Sequence, residues 1–186
     1  MFIHKDHRIP TMKGLLPSKC RSALDIGCGG LKNTIHEVLY GELPFDDILV
    51  VDTHEPNIQE RADFYKEDSR YTFMHADAMK VNLDSTYDLI TLIHVIEHLD
   101  ADNAVVLLRK LNAACTGIVL VETPDQFEDG ERTAAEEHNP HQRHRFLADE
   151  EFMSSNGYRK VFSYRQNQWF TNSVYAYTAT PSKVVL

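Results

Sequence analysis

The chain has 186 residues, 42% of them hydrophobic, and 19 basic against 28 acidic side chains give a net charge of −9. That size and balance fit one globular domain and exclude a disordered or collagen-like chain. The acidic excess repels phosphate backbones, which disfavours nucleic acid as a partner, and no apolar run approaches the roughly 20 residues that cross a bilayer.

Met1–Arg8 is charged and lacks the apolar stretch of a secretory signal. Cys20, Cys28 and Cys115 show neither disulfide-framework nor metal-knuckle spacing, so a cytoplasmic protein is expected. Strand-rich runs then follow at Ser22–Gly27, Asp47–Thr53, Tyr71–Asp77, Tyr87–Val95 and Gly117–Thr123. Between them Leu31–Tyr40, Pro56–Lys66 and Asp100–Ala114 have helical spacing. In the last of these, Ala104, Leu107, Leu108 and Leu111 form one stripe. Strands alternating with helices of this length predict βαβ units around a parallel sheet. Continuously apolar strand centres such as Ile48–Val51 suit a sheet covered on both faces.

Asp125–Glu151 carries nine acids and three arginines, hence −6 of the total −9, with His138, His141 and His144 among them. It follows the fifth strand, at the sheet edge where α/β folds hold their sites. Residues 125–145 are read either as a lid or substrate wall or as a solvated loop. Phe146–Gly157 reads as a helix ended by glycine. Lys160–Arg165 and Ser173–Ala179 are too close for a crossover helix and must pair as a hairpin. Trp169 and Phe170 between them plug the hairpin or wall a pocket. All of 1–186 is expected to be one domain, with residues 1–20 as a cover over the site.

The sharpest local signal is Ala23-Leu-Asp-Ile-Gly-Cys-Gly-Gly30, a buried strand running into glycines before a helix. Glycine permits positive φ and lets backbone approach a ligand closely. A dinucleotide fingerprint wants a small residue at position 32, where this chain has Lys32, so a nucleoside without bridging phosphates fits better. Asp52 closes the second strand, where a carboxylate can accept ribose hydroxyls. Asp77 closes the third and can accept from an exocyclic amine; each Asp can equally be a turn or cap residue. Asp25 can hold the turn or face a ligand amine.

On Leu24–Gly30, Val50-Val-Asp52, Ala76-Asp77, Tyr87–Leu99 and Glu122-Thr-Pro-Asp125, the chain resembles class I S-adenosylmethionine-dependent methyltransferases, in the branch of the ubiquinone-biosynthesis O-methyltransferases. The resemblance implies an α/β, Rossmann-like doubly wound sheet of seven strands, order 3-2-1-4-5-7-6, with strand 7 antiparallel. It implies S-adenosylmethionine as cofactor. Asp25, Gly27 and Gly29, with Cys28 in the turn, would line its methionine part. Asp52 would hold the ribose, Thr53 or His54 would flank the adenine, and Asp77 with Ala78 would meet its amine. Leu92, Ile93 and His94 would lie beneath the sulfonium.

Methyl transfer needs orientation, a dry approach and a place for the acceptor's proton. Histidine suits that last task near neutral pH. His94 and His98, spaced i, i+4 where the fourth strand gives way to helix, are the catalytic candidates, pointing one way. A small-molecule acceptor methylated on oxygen or nitrogen is expected, by a monomer or homodimer. Three alternatives stay open. The chain also resembles metal-dependent 2′-O-methyltransferases of RNA 3′ ends, in which His94, Glu97 and His98 with His138 or His141 would be ligands; no metal is the favoured expectation. The others are an NAD-linked oxidoreductase and a non-catalytic cofactor-binding protein.

Overall fold

The structure is a computed structural model that describes residues 1–31, 40, 43–126, 139–167 and 170–179. Its strands are β1 (Phe2–Ile3), β2 (Ser22–Ile26), β3 (Asp47–Asp52), β4 (Tyr71–His75), β5 (Tyr87–Ile93), β6 (Cys115–Pro124), β7 (Arg159–Arg165) and β8 (Thr171–Thr178). Its α-helices are α1 (Arg8–Lys13), α2 (Glu55–Phe64), α3 (Ala101–Ala114) and α4 (Glu150–Ser155). The strands form one sheet, ordered β1-β7-β8-β6-β5-β2-β3-β4. Every neighbouring pair is parallel except those of β8, which runs antiparallel to β6 and β7.

Apart from β1, this is the expected order, read from the β4 edge. The eighth strand corrects the expected seven: Phe2 and Ile3 pair with Ser163 and Tyr164 of β7. Two residues carry no periodicity, and their partner lies at the far end of the chain, so no local signal marks them.

The two faces of the sheet bury separate cores. On one, Ile90, Leu92, Val119 and Val121 meet the α3 stripe of Ala104, Leu107, Leu108 and Leu111. On the other, Leu89, Leu120, Phe162 and Val174 meet Met12 of α1 and Ile58 of α2. Each fully buried leucine contributes about 1.5–3 kcal/mol by leaving water. That outweighs any difference in helix propensity, so α3 is held by its stripe.

Several boundaries differ from the sequence reading for local reasons. β5 stops at Ile93 because His94 takes a left-handed φ of 55°. β4 stops at His75, leaving Ala76 and Asp77 in the following turn. α4 starts late, at Glu150, because Asp149 caps it by accepting the Phe152 N–H at 2.8 Å. Gly157, at φ 87°, lies just past its end as expected. Most of the helix expected at Leu31–Tyr40, together with Lys32, His138 and Trp169, lies outside the described residues. Among those described, no helix is long and apolar enough to cross a membrane.

Candidate active site

β2 and β5 are neighbours, yet the chain leaves β2 toward β3 and β4 before it returns to β5. The connections leaving their carboxyl ends part company there, which is where open α/β sheets hold ligands. A cleft of about 410 Å³ opens at this point.

The glycine turn forms one wall of it. Gly27 (φ 76°) and Gly29 (φ 60°) adopt backbone that residues with a Cβ avoid. A Cβ on Gly27 would also lie 2.3 Å from Val95 Cγ2, so both conformation and space demand glycine. Asp52, at the end of β3, faces the turn. Its Oδ2 accepts from Gly29 N at 2.9 Å and Asn57 Nδ2 at 3.2 Å, with Cys28 Sγ 3.7 Å away; its Oδ1 accepts from His54 N at 2.7 Å. A carboxylate offers about four acceptor sites, so Oδ1 keeps capacity for a further donor. Asp77 Oδ1 accepts from Met79 N at 2.9 Å, which makes Asp77 both a turn residue and, with Ala78, part of the cleft wall.

Thr53 and Ile93 also line the cleft, whereas Asp25, Cys28, His54 and Leu92 do not. Asp25 and Leu92 still lie inside strands buried on both faces. Asp25 Oδ1 accepts from Thr91 Oγ1 at 2.7 Å, and Thr91 in turn meets the Tyr40 hydroxyl. Cys28 is fully buried behind the turn, and burial pushes its thiol far above the ordinary range. His54 supplies its backbone N–H to Asp52 and no side chain to the wall.

The two catalytic candidates both line the cleft. Ile96–His98 is a 3-10 turn, and the left-handed His94 before it breaks the helical phase that i, i+4 spacing assumes. His94 Nδ1 lies 3.1 Å from Glu97 Oε1 and Nε2 lies 3.1 Å from Glu122 Oε1. Burial opposes a charge on His94, but hydrogen bonds to Glu122 and Glu97 outweigh it and push its pKa up to about 10. Asn172 Nδ2 is 3.2 Å from the same Nε2, and the charged Glu122 is the stronger claimant to its proton. Glu122 Oε1 also accepts from Arg8 Nη1 at 3.1 Å and Tyr164 OH at 2.6 Å. His94 is thus an imidazolium clamped by carboxylates.

His98 behaves oppositely. Burial lowers its pKa, with nearby Glu97 opposing, so it is neutral at pH 7. Its Nδ1 is buried with no hydrogen-bond partner among the described residues, and its ring centre lies 5.0 Å from that of His144. Candidate ligand atoms of Glu97, His98 and His144 lie within 4.8 Å of one another, an N/O set that suits a divalent metal. The grouping differs from the four-ligand set of the metal-dependent alternative: His94 is committed to Glu97 and Glu122, His141 lines the cleft, and His138 lies outside the described residues.

Sequence reasoning offered residues 125–145 as a lid or substrate wall, singling out only its histidines. Asn139, Gln142 and Arg145 also line the cleft, with Arg145 N donating to Glu97 O at 2.8 Å and its guanidinium 3.3 Å from Asp100. Sequence reasoning missed Tyr164 and Asn172, single polar residues inside strands, which carry no sequence signal. None of residues 1–20 lines the cleft. They extend the sheet through β1 and reach the site indirectly, through Arg8 and Glu122.

A family model described as a methyltransferase domain matches residues 8–169. The chain belongs to the class I S-adenosylmethionine-dependent methyltransferase family. That family is broader than the ubiquinone-biosynthesis branch that the sequence resembles. Among solved structures, the methyltransferase is similar in fold to N-methyltransferase NodS from Bradyrhizobium japonicum WM9, at 16% identity and TM-score 0.67, over 95% of this chain and 96% of that one. The N-terminal domain of EvdMO1 with S-adenosylhomocysteine bound aligns at 14% identity and TM-score 0.68, over 93% and 80%. Magnesium protoporphyrin IX methyltransferase from Synechocystis PCC 6803 with bound S-adenosylmethionine aligns at 14% and 0.62, over 94% and 77%. No curated protein matches this chain in sequence.

At pH 8, ¹⁵N NMR should find both ring nitrogens of His94 protonated and only one of His98; a neutral His94 there would refute the clamp. Its folded pKa lies above the ordinary value of 6.5, so the stability it adds is complete below about 6.5 and is lost as pH rises through about 10.

Proposed function

We propose that this methyltransferase carries a methyl group from S-adenosylmethionine to a small-molecule acceptor, at oxygen or nitrogen. The observation that carries the reading is the cleft where Gly27, Gly29, Asp52 and Asp77 converge at the carboxyl ends of β2, β3 and β4. In this reading Gly27 and Gly29 flank the methionine part, with Asp25 and Cys28 supporting the turn from behind. Asp52 takes the ribose; Thr53, Asp77 and Ala78 take the adenine, with His54 bracing Asp52. Ile93 and His94 lie under the sulfonium, backed by Leu92. The whole of 1–186 acts as one domain, and the acceptor enters beside residues 139–145.

The cofactor supplies an electrophilic methyl group that leaves with its sulfur-bond electrons retained by sulfur. The acceptor's lone pair forms the new bond, and its proton must then go to the protein or to water. His94 cannot take it, because it is already protonated. With Arg8 it balances Glu97 and Glu122, so the cluster presents no net charge to a sulfonium. Neutral His98, which lines the cleft, is the proton acceptor.

Thermal unfolding with S-adenosylhomocysteine, with NAD and without ligand tests the cofactor. A ligand at a hundred times its dissociation constant stabilises by about 2.7 kcal/mol. A shift with S-adenosylhomocysteine alone is expected, and one with NAD alone would refute the reading. Asp52→Ala should weaken S-adenosylhomocysteine by about tenfold or more; unaltered affinity removes Asp52 from the site. Across a panel of small hydroxyl and amine acceptors, His98→Gln should cut turnover about a hundredfold while cofactor affinity holds. Equal turnover would take His98 out of the chemistry.

The Glu97, His98 and His144 grouping supports a second reading, a metal-assisted transfer. The two compete for the same residue, because His98 is a metal ligand in one and the proton acceptor in the other. Turnover unchanged by a chelator is expected. Loss in chelator, restored by Mn²⁺ or Mg²⁺, would favour the metal instead.

A further inference from the structure

Two cations on the helices behind the cleft play no part in the chemistry above. Arg61 of α2 is 2% exposed. Its Nε donates to Gly29 O at 2.8 Å, and Nη2 donates to Cys28 O at 2.9 Å and Gly30 O at 3.0 Å. Buried guanidinium groups ordinarily seek carboxylates. Here the hydrogen bonds run instead to three successive carbonyls of the glycine turn. The same face of α2 adds Asn57, which donates to Asp52, and Glu60, whose Oε2 accepts from Leu31 N at 3.1 Å.

On the opposite face of the sheet, α3 does the same for the other loop. Lys110 Nζ donates to Ala78 O at 2.9 Å, to Met79 O at 3.3 Å and to Val81 O. An ammonium has three protons, and each has an acceptor. Ala78 and Met79 line the same cleft as Gly27 and Gly29.

Left-handed residues at 27 and 29 direct the carbonyls of the turn into neither helix nor sheet. Water could satisfy them, but water would leave the loop free to sample other shapes. A side chain rooted in a packed helix satisfies them in one geometry only. Ordering a loop on binding costs affinity, so a loop held beforehand binds more tightly. We propose that Arg61 and Lys110 are positioning residues that preform the two loops of the cleft for the cofactor, acting through main-chain carbonyls. The inference rests on the cofactor reading above.

Calorimetric titration with S-adenosylhomocysteine separates positioning from plain stability. The proteins are wild type, Arg61→Met, Arg61→Lys, Lys110→Met and, as control, Arg70→Met. Arg70 binds Asp68 and Leu43 O and lines no part of the cleft. All the variants can lower the melting temperature, but only positioning moves the dissociation constant. Arg61→Met and Lys110→Met should weaken binding by about tenfold or more, Arg61→Lys by less, and Arg70→Met by under twofold. Hydrogen exchange at residues 28–31 should quicken in unliganded Arg61→Met and slow again with saturating S-adenosylhomocysteine.

Dissociation constants within twofold of wild type in both methionine variants overturn the proposal. Should Arg61→Met fail to fold, Lys110→Met and Arg61→Lys decide, and unchanged binding in both overturns it equally. A folded wild type that binds no S-adenosylhomocysteine removes the cofactor reading, and this inference with it.

Discussion

Gly27 donates its N–H to Val51 O at 2.7 Å while its backbone turns left-handed, and the cleft is built around that turn. Val95 packs where a Cβ would sit, so the end of β5 is drawn against the end of β2. Once the turn exists, its polar groups need partners in a place where no regular structure supplies them. Asp52 meets the Gly29 N–H from β3, and Arg61 meets three carbonyls from α2. A negative group and a positive group thus hold opposite sides of one short loop. The cleft is therefore shaped before any ligand arrives.

The histidines show how environment separates two copies of one side chain four residues apart. Both are partly buried, and burial favours the neutral ring in each. His94 overcomes it because two carboxylates reach its two nitrogens, and a charged ring satisfies both. Among the described residues, Glu97 is the carboxylate that raises the pKa of His98, and its effect is smaller than that of burial. Their charge states at neutral pH therefore differ. The strained backbone at His94 aims its ring at Glu122, a strand away, which makes that difference possible.

Much of the fold was legible because it rests on local pattern. The α3 stripe, the continuously apolar strand centres and the close-set hairpin each state their partners through spacing alone. β1 was not legible, since two residues hold no period. The late start of α4 depends on one Asp149 hydrogen bond that spacing does not foretell. At the site, the glycine turn and the acids at strand ends stood out by type and place. The cleft does receive Gly27, Gly29, Asp52 and Asp77, but Asp25 and Leu92 lie inside their strands and do not line it.

The sequence by itself determined the main strands and helices, their buried faces, the closing hairpin and the glycine turn, because those follow from periodicity, close spacing and where glycine is tolerated, while the strand order was implied by the family resemblance. Tertiary structure alone decided the electrostatics. Arg8, Glu122, Tyr164 and Asn172 come from separate elements and meet only when β6, β7 and β8 are in register. Arg61 and Lys110 look like ordinary helix-surface cations until packing turns them inward onto carbonyls. Charge state and hydrogen-bond partner depend on distance in three dimensions, and for groups this far apart in the chain the sequence holds no measure of it.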